Sequence, residues 1–196
     1  MEFFLRLSRL IDALNERVGK AVYWLVLAMV LISAGNAIIR KVFSMSSNAW
    51  LELQWYLFSA VFLLASGYTL LRNEHVRIDI LAGRLSPKAQ AGIEVMGTLL
   101  FLLPMTVMLT ILSWPYFVRS YVDHEVSGSA GGLVLWYARI LLPAGFLLLS
   151  LQGVSELIKR VAFIAGKGPD PVKRHDHNAE QALAEEIRRL AEGKEA

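Results

Sequence analysis

The 196-residue sequence contains no cysteine, which removes disulfides, thiolate nucleophiles and iron–sulfur ligation from consideration. Histidine is scarce: His75, His124, His175 and His177 are the whole set, and none falls within a long apolar run. A haem-binding four-helix subunit needs axial ligands projecting from its spans, so this pattern argues against that class. Charge is also missing, over distances that matter. Residues 21–39, 53–71 and 95–118 carry no Asp, Glu, Lys or Arg, and residues 140–155 form a shorter uncharged run. At about 1.5 Å per residue, roughly 20 residues of helix cross a hydrocarbon core of about 30 Å. Ionisable groups at bilayer depth mark ion or solute paths, and the centres of these runs have none.

What is present instead is hydrophobicity, at 55% of all residues and with a positive mean hydropathy. The long runs are apolar all round, whereas a soluble bundle would show each helix a polar face. The expected fold is therefore an all-α membrane protein with four transmembrane helices, at about 21–39, 50–71, 92–118 and 133–158. The fourth reaches spanning length only by carrying Arg139 inside it. Residues 1–165 form the membrane domain and 166–196 a polar linker and tail.

The cations set an orientation, because short loops rich in Lys and Arg stay in the cytoplasm. The segment before the first span holds Arg6, Arg9, Arg17 and Lys20, and the loop between spans two and three holds Arg72, Arg77, Arg84 and Lys88. The C-terminal segment holds more still, whereas the other two loops hold Arg40, Lys41 and Arg119. Both termini and the middle loop are predicted to be cytoplasmic, with Arg40 and Lys41 against the trend. Trp50, Trp55, Tyr56, Trp114, Tyr116, Trp136 and Tyr137 cluster at the opposite helix ends, where amphipathic rings favour the interface. The basic balance reads as topology and attraction to anionic lipid, with no nucleic-acid partner implied.

Residues 1–20 place Phe3, Leu7, Leu10, Ile11, Leu14 and Val18 at helical spacing, with Arg6, Arg9, Asp12, Glu16 and Arg17 on the other side. This predicts an amphipathic helix in the headgroup region or packed on a partner, retained after synthesis. A second interfacial piece is expected around Val76, Ile78, Leu81 and Leu85. Ser86 and Pro87 read as the N-cap and first residue of the third membrane helix. Pro104 and Pro143 lie inside spans three and four and should bend them, as packing features or as cavity walls. Beyond Gly166, glycines and prolines make a linker to a weakly helical tail, in which His175, Asp176 and His177 are a weak metal candidate beside a solvated-tail reading.

Chemistry-bearing residues are sparse. Asn36, Ser59, Ser66, Thr98, Thr106, Thr110, Ser150 and Gln152 are expected to stitch helices together. Glu52 and Arg139, at the same outer end, are candidates to pair across helices two and four or to snorkel separately. Asp123, His124, Glu125 and Ser127 invite a catalytic or metal reading, but no further donors complete a site. With Gly128, Gly131 and Gly132 they are better read as a turn and contact surface. No catalytic residue, metal or cofactor is expected.

Two blocks carry a family resemblance. Trp50-Leu51-Glu52-Leu53-Gln54-Trp55-Tyr56 opens span two, and Arg72-Asn73-Glu74-His75-Val76-Arg77-Ile78-Asp79 follows it. Glu125-Val126-Ser127, Gly131-Gly132-Leu133, Trp136, Leu142-Pro143-Ala144-Gly145-Phe146 and Leu151-Gln152-Gly153 then come in order. Over residues 17–160 the chain resembles the small integral membrane subunit of tripartite ATP-independent periplasmic (TRAP) transporters, the DctQ-like family. The resemblance implies a bacterial inner-membrane protein with two partners: a large membrane subunit that moves an organic acid with sodium ions, and a periplasmic solute-binding protein that delivers it. This chain would support the large subunit. By motif position Trp50, Glu52, Trp55, Tyr56, His75, Arg77, Asp79 and Arg139 are candidates for subunit or lipid contact. Asp123, Glu125, Ser127, Gly131 and Gly132 form a candidate contact loop for the binding protein. An autonomous four-span channel or carrier, or an anchor subunit of another complex, are the alternatives.

Overall fold

A computed structural model describes residues 2–44, 47–73 and 85–168. It contains α1 (Glu2–Phe43), α2 (Asn48–Leu71), α3 (Pro87–Val122), the short α4 (Trp136–Arg139) and α5 (Leu141–Ile164). Four runs are long and apolar enough to cross a membrane: α1, α2, α3, and α4 with α5 taken together as Trp136–Ile164. The four expected membrane helices are all present.

The amphipathic N-terminal segment is helical and continuous with the first span, so α1 runs 42 residues, about 63 Å. It packs against α2 near the end of that helix, where Glu16 meets Arg72. Helix α2 and α5 run in the same direction, because Leu63 lies opposite Gly145 and Gly67 opposite Leu148. At Gly145 a Cβ would stand 2.8 Å from the Leu63 carbonyl oxygen, so glycine there lets the two backbones approach. Helix α3 packs mainly on the other side of α5 and on α4. The last helix is thus the hub: α1 and α2 cover one side of it and α3 the other. It is the most buried of the four, while α1, α2 and α3 present long apolar faces outward. In a membrane those faces meet lipid or other helices.

Local chemistry explains the irregularities. Ser86 accepts from the Ala89 N–H and Pro87 opens α3, as the sequence predicts. Pro104 has no N–H to offer the Leu100 carbonyl, and the preceding residues Thr98–Leu102 widen into a π-turn, with the Leu103 N–H donating to the Thr98 carbonyl. Pro143 is buried in the first turn of α5, where a missing donor costs little. Pro115 sits inside the second half of α3. The helix of the fourth span begins at Trp136 and not at Leu133, because residues 133–135 are tied to the preceding loop: Ser127 N–H donates to the Leu133 carbonyl and Leu135 N–H to that of Glu125.

Candidate functional site

Polar side chains gather at the two ends of the bundle. At one end, which the cations predict to be the inner one, the buried face of α1 is Ser8, Ile11, Asn15, Gly19 and Val22, so the helix turns a mostly small and polar stripe toward the protein. Phe3, Leu10 and Leu14 of the predicted apolar stripe stay exposed. The partner is α5, whose Gln152, Ser155, Glu156 and Lys159 recur at three and four residues and so share one face.

The contacts form one connected network. Ser8 and Ser155 hydroxyls lie 2.7 Å apart, and Ser155 Oγ donates to Asp12 Oδ1 at 2.7 Å. Gln152 is fully buried; its Nε2 donates to Asp12 Oδ1 at 3.0 Å and to Glu156 Oε1 at 3.2 Å, and its Oε1 accepts from Asn15 Nδ2 at 3.0 Å. Lys159 Nζ reaches both Asp12 oxygens at 3.2 Å and also pairs with Glu156. Arg160, 5% exposed, bridges Glu156 on its own helix to Glu94 on α3. Three helices are therefore clamped by three carboxylates, two cations and two amides. Asn15 Oδ1 is buried without a hydrogen-bond partner, and it lies over Gly67 of α2, where a Cβ would come within 2.2 Å of it. Glycine at 67 is what admits the Asn15 side chain.

The outer end is a braced loop. Val126 and Val134 form an antiparallel bridge, and Gly131, at φ 71°, turns the chain between them. Glu52, on the first turns of α2, accepts the Leu133 N–H at 2.7 Å and the Ser127 hydroxyl. Asn48 donates to the Ala130 carbonyl at 3.1 Å. Arg139 forms a two-point ion pair with Glu125, with Nη2 to Oε1 at 2.6 Å, and its guanidinium lies 4.1 Å from the Tyr116 ring centre. Tyr121 and Trp136 meet edge to face at 5.4 Å. The Tyr56 hydroxyl and Ser120 Oγ are buried here without hydrogen-bond partners.

This geometry redistributes the residues named from sequence. The Glu52–Arg139 pair is not made: a carboxylate nearer in sequence, Glu125, takes the arginine, and Glu52 takes the loop's backbone and hydroxyl donors. Glu125 and Ser127 of the candidate contact loop are thereby engaged inside the chain, Gly132 packs on Ser127, and Asp123 pairs with Arg119 at the surface. Among the contact candidates Trp50 and Trp55 face outward, whereas Glu52 and Arg139 bind within the chain. His75, Arg77, Asp79, the second interfacial piece and the tail from residue 169 lie outside the described residues. Ser66, Thr106, Thr110 and Ser150 do not stitch helices. Each hydroxyl donates to a carbonyl three or four residues back in its own helix, as membrane hydroxyls can without a neighbour. Among the described residues, Gln152 is the one of the residues expected to stitch that carries hydrogen bonds between helices.

Sequence reasoning missed Ser8 and Asn15, and read Asp12 only as part of the charged side of an interfacial helix. The signal was available in Gln152, Ser155, Glu156 and Lys159, a polar stripe on a membrane helix that needs a polar counterpart. No group of His, Cys, Asp and Glu that could hold a metal occurs among the described residues.

A family model, described as tripartite ATP-independent periplasmic transporters, DctQ component, matches residues 29–163. No curated protein and no solved structure matches the chain.

Proposed function

The chain belongs to the DctQ family of tripartite ATP-independent periplasmic transporters, and from that premise we propose that it is the small supporting subunit of such a transporter. It stands beside a large membrane subunit that carries an organic acid with sodium ions, the acid arriving on a periplasmic binding protein. Both termini lie in the cytoplasm, as the distribution of Lys and Arg indicates. The inner network then faces the cytoplasmic leaflet and the braced loop faces the periplasm.

The observation that carries this reading is how the polar groups are arranged. Those of the inner network and the outer loop bind one another, at opposite ends of helices whose middle stretches carry no ionisable side chain. Carriers place ionisable groups or broken helices near the midplane, where they face the solute. A clamped set of helices with outward apolar faces suits a static support better than a moving carrier.

The test is recovery of the tagged chain from its native membrane in mild detergent, with mass spectrometry of what accompanies it, followed by uptake measurements in vesicles. A stoichiometric large polytopic partner and no uptake by this chain alone are expected. Recovery without a partner, together with uptake by the isolated chain, would establish an autonomous carrier instead.

A further inference from the structure

The inner end also holds a groove that the network does not fill. It has a volume of about 430 Å³ and is lined by Glu2, Leu5, Arg6, Ser8, Arg9, Asp12 and Lys159. Asp12 and Lys159 bind each other across its floor. Arg6 and Arg9 stand on one side of α1 and are exposed, and neither takes part in an ion pair among the described residues. Two arginines, one lysine and two carboxylates leave the groove with a single positive charge in excess.

Its position specifies the ligand. Asn15 lies against Gly67, and Glu16 meets Arg72 just past the end of α2, so Glu2 to Asp12 lie at or beyond the inner end of that membrane helix. One side of the same stretch is buried against α5, and Phe3, Leu7 and Leu10 are exposed on another. Arg6 follows Leu10 around the helix, so apolar and basic surfaces adjoin. Such a pairing of an exposed apolar stripe with unpaired guanidiniums at the membrane boundary suits a molecule with an anionic head and apolar chains. Guanidinium forks match phosphate oxygens in two-point contacts.

We propose that this groove binds the phosphate headgroup of an anionic phospholipid, held by Arg6 and Arg9 with Lys159 behind them. Asp12 keeps Lys159 in place and, with Glu2, sets a limit on how much negative charge the groove accepts, favouring a singly charged phosphodiester. The site does not depend on the subunit assignment. It requires only that the N-terminal end of α1 meet the membrane surface.

The experiment is native mass spectrometry of the full-length chain in detergent, titrated with phosphatidylglycerol or with phosphatidylethanolamine. Phosphatidylglycerol should bind at least tenfold more tightly. The double variant Arg6→Gln/Arg9→Gln, which touches no internal ion pair, should lose roughly tenfold or more of that affinity. Arg40→Gln/Lys41→Gln removes two cations from the other end of the same helix and should bind like the parent chain. Equal affinity for the two lipids, unchanged binding by the Arg6/Arg9 variant, or an equal loss in the Arg40/Lys41 variant would overturn the site. Full displacement of the lipid by millimolar inorganic phosphate would also overturn it, in favour of a phosphate site indifferent to acyl chains.

Discussion

The inner network and the outer loop use the same chemistry, carboxylates answered by guanidinium, hydroxyl and amide groups, in different surroundings. At the inner end Glu156 and Arg160 are each 5% exposed and the bonds join helices far apart in sequence, as Ser8 to Ser155 and Glu94 to Arg160. At the outer end Glu125 and Arg139 are partly open and only 14 residues apart, and Glu52 binds a loop edge. The inner groups therefore hold helices to one another, and the outer groups hold the shape of one connection. A buried ion cluster is worth most when considered through its removal, because any one partner lost leaves others uncompensated in low dielectric. A loop brace near water has solvent as a substitute.

That contrast can be broken experimentally. Arg160→Ala removes the guanidinium that Glu156 and Glu94 share, leaving Glu156 to Lys159 and Gln152, and should cost about 3 kcal/mol, read as a large fall in the thermal midpoint of the detergent-solubilised chain. A midpoint near the parent's would mean the inner network is solvated. Gly145→Val places a side chain against the Leu63 backbone and should cost about 1–3 kcal/mol without touching either polar cluster, giving a steric reference in the same assay. Asn15→Ala leaves the Gln152 carbonyl oxygen without a donor and should cost about 1 kcal/mol. Glu52→Ala should leave the thermal midpoint nearly unchanged while hydrogen exchange at Ser127 and Leu133 speeds up at least tenfold, with α1 and α5 amides unaffected. Loss of protection throughout the chain in this last variant would show that the outer brace also holds the helices. The exposed Arg119–Asp123 pair should be nearly silent, with Arg119→Ala shifting stability by less than about 0.5 kcal/mol.

Much of the architecture is legible in the sequence. The uncharged runs gave the four helices, because charge exclusion over about 20 residues is a local property that lipid imposes whatever the neighbours do. Ser86-Pro87 gave the start of α3 for the same reason: capping depends on adjacent residues. The candidate site was less legible. Asp12 sits among Arg6, Arg9 and Arg17 in sequence and reads as one more solvated charge, and nothing local says that Ser155 and Lys159 lie above it. Arg139 was read against Glu52 or as snorkelling alone, and Glu125, which takes it, was read only as part of a contact loop.

The sequence alone determined that this chain lives in a membrane, crosses it with four helices and carries its charges at the ends, because each follows from hydropathy and charge summed along short windows. The tertiary structure decided which faces those helices turn to one another. It made α5 the hub, turned the Ser8, Asp12 and Asn15 face of α1 toward it, left Phe3, Leu10 and Leu14 outward, and assigned Glu125 to Arg139 and Glu52 to the loop. Helices that are apolar on all sides carry no preference for a partner face. The choice falls to the few positions where a glycine admits a neighbour or a buried polar group must find one.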